Sequence, residues 1–220
     1  MKTTAESGLK QSVWDEHMTK DEAKRQEIFD GITEEFTANG YELKDLTTTA
    51  LKANVIGPLI GAVLSVPFIA AFFLLGHNLK SATEFEFFWI VLSGLLIVSI
   101  VVHEIIHGIT MGIFAKNHFK SIAFGIIVQY LTPYCSCKEP LRKHQYILGL
   151  LMPCIVLGII PMILALAFGS FLLLVYGAFM TITAGGDLLI MSMILKSSYK
   201  GDVYFVDHPT KIGLAVFVKE

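Results

Sequence analysis

Long apolar runs without formal charge dominate the pattern along the chain. Residues 53–79 contain no Asp, Glu, Lys or Arg, residues 144–195 contain only Asp187, and residues 87–115 contain only Glu104. A helix needs about 20 apolar residues to cross a bilayer. The pattern therefore predicts four transmembrane helices, at residues 54–75, 87–115, 146–168 and 171–196.

The segments outside these runs predict smaller elements. Between residues 19 and 38, apolar residues recur at helical spacing behind a capping box, which predicts an amphipathic helix. The residues concerned are Thr19 and Glu22 in the box and Ile28, Phe29, Ile32 and Phe36 on the apolar face. Residues 121–134 are apolar but too short to span, so they predict a strand pair or a re-entrant segment that ends at Pro133. In the tail, residues 203–206 and 212–218 predict a β-hairpin.

These elements predict the fold class and the organisation of the chain. We expect an all-α membrane protein with about four transmembrane helices, a short re-entrant or β-hairpin segment and a small β-hairpin tail. Three regions follow: a cytosolic N-terminal segment at residues 1–53, a four-helix transmembrane domain at 54–196 and a cytosolic tail at 197–220.

Composition and charge exclude several classes of protein. The chain is 54% apolar and 16% charged, whereas soluble domains are about 25% charged, which excludes soluble, disordered and nucleic-acid-binding proteins. With four spans, 16 of the 17 Lys and Arg residues fall on one side of the membrane and Lys80 falls on the other. Because basic residues mark the cytoplasmic side, we expect a multi-pass protein of the cell membrane with both termini in the cytoplasm.

The second predicted span carries the pattern H-E-x-x-H at His103, Glu104 and His107. A spacing of four residues places both imidazoles on one helix face, about 6 Å apart along the axis, where they can bind one zinc ion. Glu104 lies about 100° round the helix from His103, so it can take a proton from a water molecule that zinc polarises without being a ligand. An ionisable residue inside a span costs about 2.5 to 3.5 kcal/mol to insert, which marks such a residue as a functional candidate.

A catalytic zinc site uses three protein ligands and one open position, so a third ligand is needed. Asp187 is the candidate, because the second and fourth spans run in the same direction and His107 and Asp187 lie at similar distances from their cytoplasmic ends. Small residues beside these side chains predict a close approach of the two helices. They are Gly108, Gly112, Gly185 and Gly186.

Other interpretations of these residues stay open at this point. Buried His and Glu side chains can bond to neighbouring helices without a metal, and a zinc site can be structural without catalysis. Cys135 and Cys137, with His144 nearby, form a possible metal pair, but a single C-x-C is more typical of ordinary cytosolic thiols.

Four short motifs occur together in this chain: H-E-x-x-H in a span, Gly186-Asp187 in a later span, Pro153 and Pro161 between them, and Val206-Asp207-His208-Pro209 in the tail. From about Tyr41 onward, the chain resembles the small membrane-embedded putative zincin peptidases, relatives of which resemble site-2 proteases. The resemblance implies that His103, His107 and Asp187 bind zinc and that Glu104 is the catalytic base of an intramembrane metalloprotease.

The sequence departs from the site-2 protease pattern around the third ligand. Residues 181–187 replace an Asn/Pro-rich sequence that ends in Asp-Gly. The usual Asn partner of the substrate or oxyanion has no counterpart here, and Thr183, one turn before Asp187, is a weak substitute.

The sequence therefore predicts a zinc-dependent peptidase that hydrolyses amide bonds of membrane-protein or peptide substrates in or at the lipid bilayer. The alternatives are a metal-handling membrane protein and a non-catalytic membrane scaffold that retains a zinc site.

Overall fold

The apolar runs fold into helices of bilayer-spanning length in the computed structural model, which describes residues 20–77, 87–127 and 132–220. Three helices are long and apolar enough to cross a membrane, and two shorter helices, bent by 51° against each other, form a fourth candidate. The predicted number of spans is thus confirmed as three to four by length and composition. Lys80 and Thr19 lie outside the described residues.

The described elements carry the following labels in chain order. They are α1 (Lys20–Ala38), β1 (Glu42–Thr48), α2 (Ala50–Leu74), α3 (Phe88–Phe114), a 3-10 turn (His118–Ser121), β2 (Ile122–Ile127), β3 (Thr132–Cys137), β4 (Leu141–Arg142), α4 (Lys143–Pro153), a π-helical turn (Cys154–Ile159), α5 (Ile160–Phe168), α6 (Phe171–Thr183), α7 (Gly185–Lys196), β5 (Asp202–Asp207) and β6 (Ile212–Lys219).

The third and fourth candidate spans are irregular. In the third, α4 and α5 are joined through the π-helical turn, and Pro161 stands in the first turn of α5, which follows directly. In the fourth, α6 ends at Thr183 and α7 begins at Gly185. This break places Asp187 in the first turn of α7, so the predicted third ligand lies at a helix start rather than inside a straight span.

The predicted tail hairpin is confirmed as β5 and β6, and it belongs to a larger antiparallel sheet in the order β1-β6-β5-β4. Strand β1, which the sequence analysis missed, pairs with β6 along its whole length. The predicted amphipathic helix is confirmed as α1, and its apolar face packs on this sheet. The contacting residues are Phe29, Ile32 and Phe36 of α1 and Val206, Ala215 and Phe217 of the sheet.

Residues 122–127 and 132–137 form the predicted strand pair, with β2 and β3 antiparallel. The prediction that Pro133 ends this segment is wrong, because β3 continues to Cys137. The Lys138 N–H donates to the Ser121 carbonyl at 2.8 Å, which makes these two residues a hydrogen-bonded pair. Opposite residues in an antiparallel ladder alternate between bonded and non-bonded pairs, so the next pair, Ile122 and Cys137, is non-bonded. Pro133, opposite Ile126, occupies a non-bonded position on the outer edge of β3, where a proline is tolerated.

Helix α2 holds the bent pair α6–α7 through contacts between backbones. A Cβ atom built on Gly185 would lie 2.1 Å from the Gly57 carbonyl oxygen, and one built on Gly61 would lie 2.3 Å from the Thr181 carbonyl oxygen. No side chain fits between helices at these distances. The glycines therefore let α2 approach the point at which the fourth candidate span bends.

We predict that Gly185→Ala destabilises the protein by about 1 to 3 kcal/mol, because the added methyl group overpacks the α2–α7 contact. Gly186→Ala is the matched control, since a Cβ at Gly186 would meet nothing within 4 Å and alanine favours a helix by about 1 kcal/mol. Thermal unfolding of both purified variants in detergent measures the difference. Equal midpoints for the two variants would contradict this account of the contact.

Candidate metal centre

Three potential metal ligands from two helices converge at one point. His103 and His107 of α3 place their Nε2 atoms 3.1 Å apart, and Oδ2 of Asp187 from α7 lies 3.1 Å from the first and 3.4 Å from the second. Their side chains are 12%, 7% and 21% exposed. The predicted meeting of these side chains is confirmed.

The spacing of the donor atoms fits a zinc ion. Zinc bonds of about 2.0 to 2.1 Å in tetrahedral geometry place neighbouring ligand atoms about 3.3 Å apart, close to the three separations observed. Two imidazoles and one carboxylate also form the ligand set of a catalytic zinc site with an open fourth position. Among the residues that the structure describes, this is the one group of three such side chains with ligand atoms within 4.8 Å of one another.

A backbone carbonyl orients His107. Its Nδ1 lies 2.9 Å from the Gly149 carbonyl oxygen, and since a carbonyl can accept only, Nδ1 carries the proton and Nε2 is left free to bind a metal. Close packing permits this bond, because a Cβ on Gly149 would lie 2.7 Å from Cγ of Met111. This contact could not be predicted from the sequence, since every residue offers a carbonyl and no side-chain pattern marks it.

Two of the glycines predicted to bring the ligand helices together have another role. Gly108 and Gly112 face the segment that follows α3, where a Cβ would lie 2.5 Å from the Phe124 ring and 2.9 Å from the Phe119 ring. The prediction that they pack against the Asp187 helix is therefore wrong. Gly185 does mediate a close helix contact, but its partner is Gly57 of α2.

Glu104 lies beside the three ligands without joining them. Its carboxylate interacts electrostatically with both histidines and with Asp187, and it lies near the backbone amide of Cys135 in β3. It is not part of the group of converging ligand atoms. This is the position predicted for a group that acts on a water molecule next to the metal.

The hydroxyl groups near the site are bonded within the protein. Thr183, the substitute considered for the missing Asn, donates to the Met180 carbonyl at 2.9 Å. Ser99, one turn before His103 on the same helix face, lies 2.6 Å from the Tyr176 hydroxyl, and both residues are buried. This pair was not predicted, although the serine four residues before the first histidine would have indicated a polar group on the same helix face.

The two thiols of β3 lie outside the group of converging ligand atoms. Cys135 and Cys137 are free thiols, and burial is the main cause that raises the pKa of Cys137 to about 12 and the pKa of Cys135 above its usual value. They form no metal-binding group with His144 among the described residues.

Comparison with known proteins gives one finding. Residues 96–200 match the family described as putative zincin peptidase, which is 105 of the 220 residues and includes Glu104 and all three converging ligands. The resemblance predicted from the motifs is confirmed over this segment, and the family description supports a zinc metallopeptidase. No curated protein and no solved structure matches the chain.

We predict that the purified protein binds one zinc ion per chain and that His107→Ala weakens binding by more than about 100-fold. A lost ligand should cost more than a lost outer partner, for which 10- to 100-fold is typical. Zinc content after dialysis and competition with a chelator measure the affinity. His144→Ala is the control, because His144 is an exposed histidine outside the cluster. Equal zinc affinity in the wild type and His107→Ala would contradict the site.

Proposed function

We propose that the protein is a zinc-dependent peptidase that hydrolyses amide bonds of membrane-spanning or membrane-associated proteins. The observation that carries the proposal is the spacing of 3.1 to 3.4 Å among the ligand atoms of His103, His107 and Asp187. The position of Glu104 beside them, and the family of the segment that contains all four residues, support a hydrolytic role over a structural one.

The four residues have separate roles in amide hydrolysis. His103, His107 and Asp187 would hold Zn²⁺, which when bound supplies a Lewis acid that polarises a carbonyl group and acidifies a water molecule. The Glu104 carboxylate accepts a proton from the attacking water and then donates it to the leaving amine, as a general base and general acid. The Cys135 amide holds this carboxylate on the β3 side of α3.

The surroundings of the site support a substrate within or next to the bilayer. Helices α2 and α3 expose large apolar side chains along most of their length, among them Leu59, Val63, Ile97 and Ile105, as expected for contact with lipid. The distribution of basic residues favours a cytoplasmic location for both termini and for residues 116–143. The site would then act on the cytoplasmic side of the bilayer midplane, as expected for a multi-pass protein of the cell membrane.

A helical substrate must unwind before hydrolysis, because its backbone groups are bonded within the helix. We propose that β2 pairs with the unwound stretch through its outer edge. The outward-pointing amides of Cys135 and Cys137 in β3 are less available to pair with a substrate, since carboxylates already lie against them. By the alternation of the ladder, the backbone groups of Ile122, Phe124 and Ile126 point away from β3.

Glu104→Gln tests the catalytic role of the carboxylate. We predict that this variant keeps its zinc and loses proteolysis by about 10²- to 10⁴-fold, since the amide cannot accept a proton. Cleavage of quenched-fluorescent peptides that contain one apolar span, in detergent micelles, measures the loss. Glu42→Gln, at an exposed position in β1, is the control.

Three results would contradict the proposed enzyme. If the Gln variant equals the wild type in every assay, Glu104 is not the base. If the wild type binds zinc and cleaves nothing, a non-catalytic scaffold with a zinc site is favoured. Movement of metal ions across liposomes that contain the protein would favour a metal-handling function.

Ile126→Pro tests the substrate edge. We predict that it lowers kcat/KM by at least about tenfold and leaves zinc content unchanged, because proline removes an outward-pointing N–H without breaking a β2–β3 hydrogen bond. Ile126→Ala is the control, since it shortens the side chain and keeps the amide. Unaffected cleavage by the proline variant would contradict strand pairing. Val128, another position suited to the same test, lies outside the described residues.

A further inference from the structure

Asp207 occupies a junction between three parts of the protein. It is the last residue of β5, where its Oδ1 accepts a hydrogen bond from the Tyr146 hydroxyl and its Oδ2 accepts one from the Cys137 amide at 2.9 Å. It belongs to the tail motif singled out in the sequence, lies beyond the segment that matches the family, and has no part in the mechanism above.

One of these bonds leads to the metal site through α4. Tyr146 is 1% exposed and lies one turn before Gly149, whose carbonyl accepts the His107 Nδ1–H. The Tyr146 hydroxyl needs a partner because it is buried, and Asp207 supplies it. This bond fixes α4 relative to the sheet, and α4 in turn fixes the ring of His107.

The other bond leads to the proposed base through β3. The amides of Cys135 and Cys137 lie two residues apart on one strand, so they point to the same edge, about 7 Å apart. The Glu104 carboxylate lies near the first amide, and the Asp207 carboxylate accepts a hydrogen bond from the second. Asp207 thereby holds the strand on which the orientation of Glu104 depends.

We propose that Asp207 is a positioning residue of the zinc centre, which sets His107 through Tyr146 and α4 and sets Glu104 through β3. The inference rests on the proposed function but concerns groups that touch neither metal nor substrate. Burial raises the pKa of Asp207 above its usual value, and its electrostatic interaction with His107 agrees with a location close to the site.

Metal affinity tests this proposal without any substrate. Zinc affinity of the full-length protein in detergent, measured by competition with a chelator, should fall at least about threefold in Tyr146→Phe and at least as far in Asp207→Ala. The loss should be smaller than the 10- to 100-fold typical of a direct partner of a ligand, because these groups act one contact further out. Asp207→Asn should lose less, because its oxygen can accept from the Cys137 amide while its NH₂ group donates to the Tyr146 hydroxyl. The double variant Asp207→Ala/Tyr146→Phe should be no weaker than Asp207→Ala alone.

Asp202→Asn is the matched control. Asp202 is the first residue of β5, and it accepts hydrogen bonds from the Tyr41 hydroxyl and from Arg142, which precedes α4. These contacts do not lead to a candidate metal ligand. In the peptide assay, Asp207→Asn and Tyr146→Phe should lower kcat and leave KM unchanged, whereas Asp202→Asn should change neither. Asp207→Asn and Tyr146→Phe nearly retain the original side-chain volume, so they still test the proposal if Asp207→Ala does not fold.

The outcomes separate this inference from the proposed function. The positioning role is overturned if Asp207→Asn and Tyr146→Phe both bind zinc within twofold of the wild-type affinity. It is also overturned if Asp202→Asn loses as much zinc affinity as they do. Either result holds even if the wild type is an active peptidase. A wild type that binds zinc and cleaves nothing overturns the proposed function, while the affinity series still decides the role of Asp207.

Discussion

The structure depends on bringing three polar side chains together among helices that carry almost no other charge. His103 and His107 come from α3 and Asp187 from α7, and each would be costly in apolar surroundings without a partner. Their donor atoms lie 3.1 to 3.4 Å apart, so the three groups stabilise one another and are arranged for a metal ion. Glycines let each ligand helix pack closely on a neighbour: Gly185 of α7 meets the Gly57 backbone of α2, and the Met111 side chain of α3 meets Gly149 of α4.

The site is assembled from two layers of the protein. The apolar helices supply the three candidate ligands. The strand pair β2–β3 and the four-stranded sheet form a second layer, which lies against Glu104, the proposed acid–base group. Glu104 extends from α3 to the Cys135 amide at this boundary, and Asp207 extends from the sheet to the same strand. A substrate that leaves the bilayer would meet the ligands and the base at this boundary.

Local periodicity was sufficient to predict the helices, the H-E-x-x-H face and the tail hairpin, because these depend on residues close together in the sequence. The approach of Asp187 to His107 was also predicted, because the two residues lie at similar distances from the ends of their helices and therefore at similar depth. Strand β1 and the bond from His107 to Gly149 could not be predicted, because they depend on pairing between distant residues through backbone groups that every sequence has. Gly108 and Gly112 show the same limit: their small size predicted close contact, but only the fold identifies Phe119 and Phe124 as the partners.

Zinc K-edge X-ray absorption on the purified, zinc-loaded protein tests the central claim most directly, because it reports the ligand atoms themselves. The account predicts nitrogen and oxygen neighbours at about 2.0 to 2.2 Å with the outer-shell signal of two imidazoles, and the signal of one imidazole in His103→Ala. A sulfur neighbour at about 2.3 Å would place the zinc at a cysteine, Cys135, Cys137 or Cys154, and would contradict the site. An outer shell without imidazole scattering would contradict it as well.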